Sequence, residues 1–557
     1  MPLDEDAYRY AIKNAFLHNG KADAGAVIGK LKALHKDVEM KSVVVAAQAA
    51  AKKVNALSAA EIERDFKKFD AEGYELKPQE KIEGLKPLEW AEGKKAEKVV
   101  TRYAPNPNGP FHLGNARAAI LSHDYAKMYG GEFFVRFDDT DPKVKKPVAN
   151  AEELFRTDLE WLGCPPRKFV FASDRLATYH SFMRKAIEMG KAYVCVCDSE
   201  NWRKLISQKK ACPCREKTAK EQLALFEKMV LHSFKEGEAV LRVKTDLKHP
   251  DPSTRDWWAA KIVDKPEHPN PKTKGVFVWP SYNFASAIDD HGLGVTLIIR
   301  GQEHAQNQTK QEFLYEYFGW KYPHSIHFGR VKLEGMVLST SKIKAGIEAG
   351  EYSGWDDPGL GTIRALRRRG FLPETLRKAI VFIGSNPNDT TISSDALASW
   401  NRELLQASGT TELTFIQAPV KLEVHACPKA EGELDGENVS LGDGPQSFFV
   451  PKQALEKAGV GATVRLKKAF NATLEKIEEF FASARFAGAQ KTEPVVSWLL
   501  LGADLEVLLP DNSKVFGLVN EKILAQKIGS VVHLDRFGFV RIDSERNARL
   551  QAVFCHK

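Results

Sequence analysis

The stretch TRYAPNPNGPFHLGNARAAI, residues 101–120, decides how the chain is read. Val99, Val100 and Thr101 lead in as a β-branched run. A loop with three prolines follows, ends on the imidazole of His112, and passes after His-Leu-Gly-Asn into good helix formers from Ala116. Strand, rigid loop and helix in that order begin a parallel βαβ unit. A helix N-terminus offers free backbone N–H groups and the positive end of its dipole, which suit phosphate. Gly109 and Gly114 let backbone approach a ligand, and Pro105 and its neighbours fix the path. His112 and Asn115 can donate to phosphate oxygens. On spacing alone, a structural turn and the floor of a nucleotide site fit equally.

Outward from this loop the pattern repeats. EFFVRF, KFVFAS, GVTLIIR and HSIHFGRVKL read as strands, and helical stretches separate them. The expected fold class is therefore multidomain α/β, with a Rossmann-type doubly wound sheet. In such sheets ligands bind beyond the carboxyl ends of the strands, where this loop lies. At 557 residues the chain exceeds one core and implies about three or four domains. We read an Ala- and Lys-rich helical domain at 1–70, with stripes Tyr8, Ile12, Ala15, Phe16 and Val44, Ala47, Ala51, Val54. A linker follows at 71–97. The α/β domain takes 98–193 and 276–345, interrupted by an insertion at 194–275. A helical region spans 346–410, and short strands split by Gly, Asn and Asp make 411–557 an all-β region of one or two barrels.

The net charge of +8 permits a polyanionic partner without requiring one. No apolar run approaches the roughly 20 residues of a membrane helix. The start, MPLDEDAYRY, is acidic and lacks the apolar core of a secretory signal, so the expected location is cytoplasmic, with no membrane partner.

Three further constellations carry chemistry. GRVKLEGMVLSTSKIKAG presents Ser339, Thr340, Ser341 and Lys342, whose hydroxyls and ammonium can hold a triphosphate and stabilise a leaving pyrophosphate; alone, it could equally be a polar hairpin tip. Cys195, Cys197, Cys212 and Cys214 form two Cys-x-Cys pairs fourteen residues apart. Four soft ligands suit a structural Zn²⁺, with buried or redox-active thiols as the alternative; Cys164, Cys427 and Cys555 stand alone. TIRALRRRG places Arg364, Arg367, Arg368 and Arg369 where a helix could set them on nucleic-acid phosphates, or simply in solvent.

Taken together these residues resemble a family. HLGN, residues 112–115, is similar to the first signature of class I aminoacyl-tRNA synthetases, and VLSTS followed by Lys342 to their lysine-rich loop. RYAPNPNGPFHLGNARAA, VRFDDTDP, YNFASAIDDHGLGVTLIIRGQEH and DDPGLGTIRALRRRGF resemble the glutamyl/glutaminyl branch, most strongly over 98–410 and closest to its archaeal-type glutamyl members. The resemblance implies ATP and glutamate as substrates, Mg²⁺ on the phosphates, tRNA(Glu) as acceptor, and activation that needs tRNA. It implies that Arg102 pairs with the glutamate side chain, Asn106 orients it, Asp138 accepts from its ammonium, and Tyr282 and Arg300 close the other side. Pro105, Gly109, Gly114 and Leu338 would line ATP with His112, Asn115 and Ser339, and catalysis would fall to His112, Asn115, Ser339, Ser341 and Lys342. The insertion would bind the acceptor end. The β-region would read the anticodon loop, with Arg536, Phe537 and Arg541 the candidates legible there. The helical N-terminus, judged from its own stripes, could serve stability or solubility alone, or meet a protein partner or RNA.

One departure stands out: the loop's usual second lysine is Thr340, leaving Lys342 as its substitute. Three rivals share parts of this pattern. A glutaminyl enzyme is disfavoured by Asn106, VLSTS and the cysteines. A non-catalytic RNA-binding or scaffold module is disfavoured by the intact His112, Arg102 and Lys342. An enzyme loading glutamate onto a tRNA base would lack the long β-region. Whether tRNA(Gln) is a second acceptor is not legible.

Overall fold

The computed structural model describes residues 3–17, 20–35, 38–71, 85–92, 98–148, 150–546 and 549–557. They fall into two compact units, Met1–Glu83 and Gly84–Lys557. The first holds four helices, Leu3–Leu17, Ala24–Leu34, Met40–Val54 and Ala59–Ala71. Small side chains let them approach closely: Ala7, Ala11, Ala15 and Ala47 are buried with Ile12, Val27 and Leu31. The stripes differ in part from those read in sequence. Phe16 is exposed, and the third helix buries Val43, Ala46, Ala47, Ala50, Ala51 and Val54, so Ala47, Ala51 and Val54 of the expected stripe face inward while Val44 lies at its half-buried edge. The buried face is wider than the stripe, because small residues on either side of it also pack inward.

In the second unit a five-stranded parallel sheet runs in the order Phe169–Phe171, Glu132–Phe137, Val100–Tyr103, Leu297–Gly301, His324–Phe328. Arg102 lies in register with Phe134 on one side and Ile298 on the other. The chain builds outward in one direction from Val100–Tyr103 and in the other from Leu297–Gly301, so the switch point lies between these two strands. The helix Leu113–Met128 crosses back from the first strand to the second, packing Leu113, Ala116, Ile120 and Leu121 into the core.

The linker read at 71–97 lies largely outside the described residues. Its described part is packed: Leu88 and Ala91 are buried against the parallel sheet's core, and the Trp90 ring stacks on His324 at 4.1 Å. The insertion is wider than 194–275. Its four-stranded antiparallel sheet starts with Ala192–Cys195 and ends with Val278–Pro280, because Trp279 pairs in register with Lys261. Helices Thr340–Glu348, Ile363–Arg369, Pro373–Ile383 and Ser394–Ala407 follow.

The β-region forms a six-stranded and a seven-stranded sheet. The seven-stranded sheet takes Glu412–Leu413 and Phe415–Gln417 from its start and pairs them with Val531–Leu534 and Lys514–Val519 from its end. The six-stranded sheet, built from 419 to 496, is therefore inserted within it. Arg369 ties the helical region to the last strand, donating to the carbonyls of Phe554 and Cys555.

Candidate active site

The loop from Ala104 to Phe111 ends in a reciprocal cap. The backbone N–H of His112 donates to Asn115 Oδ1 at 2.9 Å, and the backbone N–H of Asn115 donates to His112 Nδ1 at 3.4 Å. Burial pushes the imidazole pKa down to about 4. The ring is thus neutral, and since Nδ1 accepts, its proton sits on Nε2, a donor at the helix start. Glycine is required nearby. A Cβ on Gly109 would lie 2.2 Å from Thr340 Cγ2, so the two signature loops touch, although 230 residues separate them in sequence. A strip through Leu360–Ile363 joins them again. His112 bridges to Thr362 and Val337 to Leu360, and a Cβ on Gly361 would meet Leu338. The Ser339 and Ser341 hydroxyls lie 3.2 Å apart, and Lys342 is exposed on the first turn of its helix.

The other end of the loop meets a buried charge cluster. Arg102 donates to Asp290 through Nε at 3.0 Å and Nη2 at 3.3 Å. Arg136 reaches the same carboxylate at 2.6 Å, Asp138 at 3.0 Å and Ser286 Oγ at 2.8 Å. Arg175 and the Tyr179 hydroxyl both hold Asp289, each at 2.5 Å. Burial alone would raise the Asp290 carboxyl; Arg102 and Arg136 keep it below its ordinary range. Burial also acts on Asp138 and outweighs Arg136, so its carboxyl is pushed up to about 6. Asn106 donates to the Asp138 carbonyl at 3.0 Å. The Tyr282 phenol is an electrostatic neighbour of Arg102 and stands near the His304 ring, 5.9 Å between centroids.

Three arginines thus meet three aspartates. Arg300 stands outside this pairing. It is 5% exposed and donates only to neutral groups: His327 Nε2 at 3.3 Å, Gln311 Oε1 at 3.1 Å and Tyr322 Oη at 3.1 Å. Among the described residues no carboxylate pairs with it. Asp290 acts on it only through space, and a buried guanidinium without a contacting counter-charge carries a desolvation cost that a bound carboxylate would offset.

Sequence reading did not single out Asp289, Asp290, Arg136, Gln311 or Tyr322. The signal was present: two adjacent aspartates on the otherwise apolar helix Tyr282–Gly292 need cationic partners to be buried. Arg117 was also unread. It is fully buried, lies over the Phe328 ring, and donates to the carbonyls of Gly329, Gly384 and Asn386, anchoring the helix that His112 caps.

The four arginines of 364–369 separate. Arg364, Arg367 and Arg368 line a 720 Å³ cleft with Trp355, and Arg541 of the β-region joins them. Asp158, Asp356 and Asp543 share that cleft, and Arg368 pairs with Asp543 at 2.9 Å. Arg369 is not among them; it is buried on backbone carbonyls, a correction to its reading as a phosphate contact. Its helix buries Ile363, Ala365, Leu366 and Arg369, so position 369 falls on the inward side. Arg536 and Phe537 line a separate 200 Å³ cavity with Pro451 and Ser497.

The four cysteines converge. Cys195 and Cys212 sulfurs are 3.8 Å apart, those of Cys197 and Cys214 3.6 Å, and all four lie within 4.8 Å of one another. The edge of a tetrahedron with 2.3 Å metal–sulfur bonds is about 3.8 Å, so the thiols fit a tetrahedral metal ion. Tyr193 supports them, its hydroxyl 3.6 Å from Cys212 Sγ and donating to Asp256, which Arg215 also holds. A second group, His123, Asp124 and Cys164, is served instead by Arg377, which donates to both Asp124 and Cys164.

A family model described as tRNA synthetases class I (E and Q), catalytic domain, matches residues 98–407. The chain is 45% identical over 577 residues to a glutamate–tRNA ligase of Pyrococcus abyssi, with all of both chains covered. It is 44% identical to that of Thermococcus kodakarensis, again over all of both, and 40% identical to that of Methanothermobacter thermautotrophicus over 98% of each. No helix among the described residues is long and apolar enough to cross a membrane.

Proposed function

The chain belongs to the class I tRNA synthetases of the glutamyl and glutaminyl branch, and from that membership we propose that it attaches glutamate to the 3′ end of tRNA(Glu) at the expense of ATP. The observation that carries the amino acid is Arg300, the buried cation left over once Arg102, Arg136 and Arg175 are paired. Glutamate brings a side-chain carboxylate to it. Arg102, which the family resemblance assigns to that carboxylate, is already held by Asp290 and borders the same pocket, and Asp138 takes the ammonium group.

The α-carboxylate of glutamate attacks the α-phosphorus of ATP; the bond to the β-phosphate oxygen breaks and pyrophosphate leaves. A ribose hydroxyl at the tRNA terminus, the 2′-OH by family resemblance, then attacks the activated carbonyl. Ester forms and AMP departs. The protein's work is positioning and charge stabilisation. His112 donates from Nε2 to phosphate oxygen while remaining neutral. Ser339, Ser341 and Lys342 face the leaving pyrophosphate, with Lys342 acting where Thr340 replaces the usual lysine. These side chains include no carboxylate, so Mg²⁺ arrives on the phosphates of ATP as part of the substrate.

Cys195, Cys197, Cys212 and Cys214 hold a structural Zn²⁺ that fixes the insertion; four thiolates leave no open coordination position for catalysis. Arg364, Arg367, Arg368 and Arg541 contact tRNA phosphates, and the two β-sheets meet the anticodon loop. The enzyme works in the cytoplasm. Its N-terminal helices offer a surface to a protein partner or RNA.

The test is aminoacylation of purified tRNA(Glu) and tRNA(Gln) with labelled glutamate, together with pyrophosphate exchange in the presence and absence of tRNA. Charging of tRNA(Glu) is expected. His112→Ala with intact exchange in the presence of tRNA would remove the nucleotide assignment. The tRNA(Gln) arm decides whether both acceptors are charged.

A further inference from the structure

Gln311 is 1% exposed on the helix Ala305–Phe318. Its amide is oriented by its neighbours. Oε1 accepts from Arg300 Nη1 at 3.1 Å and from the Tyr322 hydroxyl at 2.8 Å, so two donors fix the carbonyl end and the NH₂ end is left to other partners. Among the described residues Nε2 has none, and neither has the buried hydroxyl of Tyr315, one helical turn further along the same face. The Tyr315 hydroxyl lies in the field of Asp290, Arg102 and Arg136, and that of Tyr322 in the field of Arg300. These orphaned groups therefore border the charge cluster at the carboxyl edge of the sheet. Buried polar groups are rarely left unpaired, and a ligand is one way to pair them.

We propose that Gln311 is a specificity residue for the amino acid: Nε2 donates to the substrate's side-chain carboxylate beside Arg300. This rests on glutamate being the substrate. The pocket is then a set of donors. A carboxylate accepts at both oxygens, whereas a glutamine side chain would turn its own N–H groups against them. A site built to hydrogen-bond one substrate group discriminates strongly against an analogue that leaves its groups unpaired.

The experiment compares wild type, Gln311→Glu and Gln311→Met in aminoacylation of tRNA(Glu) with labelled glutamate and with labelled glutamine. Gln311→Glu keeps the shape, gives Arg300 an internal carboxylate and exchanges a donor for an acceptor. Its kcat/KM for glutamate is expected to fall roughly 100-fold, and its preference to move toward glutamine by more than about tenfold. Gln311→Met removes the donor and supplies no acceptor. Its KM for glutamate is expected to rise roughly 10- to 100-fold while KM for ATP stays constant. A folded Gln311→Glu enzyme with an unchanged preference overturns the proposal. Should that variant not fold, an unchanged glutamate KM in Gln311→Met overturns it. A wild-type enzyme that fails to charge glutamate overturns the substrate assignment itself, so the two failures are told apart.

Discussion

Asp290 grips Arg102 with both carboxylate oxygens, 3.0 Å from Nε and 3.3 Å from Nη2, and takes Arg136 Nη1 at 2.6 Å on one of them. One aspartate thus compensates two buried guanidiniums. Asp290→Asn keeps the shape and leaves the arginines with a charge too many. Breaking a buried pair from one side costs about 3–5 kcal/mol. The urea midpoint of the unit that contains the parallel sheet is expected to fall accordingly, whether or not substrate is present. An unchanged midpoint would mean that the cluster is not the structural keystone of the sheet edge.

The contact of Gly109 with Thr340 gives a second expectation. Gly109→Ala would set a methyl 2.2 Å from Thr340 Cγ2, closer than carbon atoms approach, so one signature loop must shift. A displacement of this kind near a reacting centre can cost up to about 100-fold in rate. Pyrophosphate exchange should therefore slow in Gly109→Ala, mainly in kcat. Thr340→Ser removes the clashing Cγ2 and should restore much of the lost rate in the double variant. Equal rates in the single and double variants would refute this contact as the cause.

The parts legible in sequence are those set by local pattern. The strand–loop–helix at 100–128 and the order of the βαβ units follow from periodicity and turn residues, but the helix starts at Leu113, three residues before the good helix formers, on the His112–Asn115 cap. Arg102, Asp138 and Arg300 were singled out through motif resemblance. Their partners were not. Arg102 and Asp290 are 188 residues apart, and only the pairing of two strands with a helix from the insertion's edge brings them together. Arg369 shows the opposite failure. A run of arginines reads as one basic face, yet a helix turns each successive residue by about 100°. Arg369 consequently points at the final strand while Arg367 points at solvent. The interleaving of the two β-sheets was equally invisible, since strands paired across about 100 residues leave no local mark.

Asp138 sets a pH dependence. Its carboxyl pKa is raised from 3.8 to about 6, so between those values the folded protein holds a proton that the unfolded chain has lost. The sign follows: this group costs stability as pH rises through the window, while its ability to accept the substrate ammonium is gained. KM for glutamate should rise about tenfold per pH unit below about 6. KM for ATP should not follow, because His112 titrates only near 4. Asp138→Asn should flatten the glutamate profile at a uniformly high KM. Parallel profiles for both substrates would contradict the assignment.

Metal content tests the cysteine site without reference to activity. Purified protein should carry about one zinc ion per chain, and Cys212→Ser should lose it. Tyr193→Phe keeps all four thiols but removes the hydroxyl beside Cys212 Sγ and its bond to Asp256. Outer hydrogen bonds of this sort are worth about 10-fold or more in metal affinity. Competition with a chromogenic chelator should register that loss. Zinc held equally well by wild type and Tyr193→Phe would confine Tyr193 to packing.

Arg367 and Arg369, two residues apart, should respond in opposite ways. Arg369→Ala deprives the Phe554 and Cys555 carbonyls of their donor inside the protein, at a cost of about 1–3 kcal/mol. Its melting temperature should drop, with little change in the salt dependence of tRNA binding. Arg367 is exposed beside the Trp161 ring at the rim of the arginine-lined cleft, and it takes part in no ion pair among the described residues. Arg367→Ala should leave the melting temperature unchanged and reduce the slope of log affinity against log salt by about 1, the signature of one lost phosphate contact. Filter binding of tRNA(Glu) over a salt series measures that slope. A slope equal to wild type would show that phosphate does not reach Arg367, and would take the cleft out of the tRNA path.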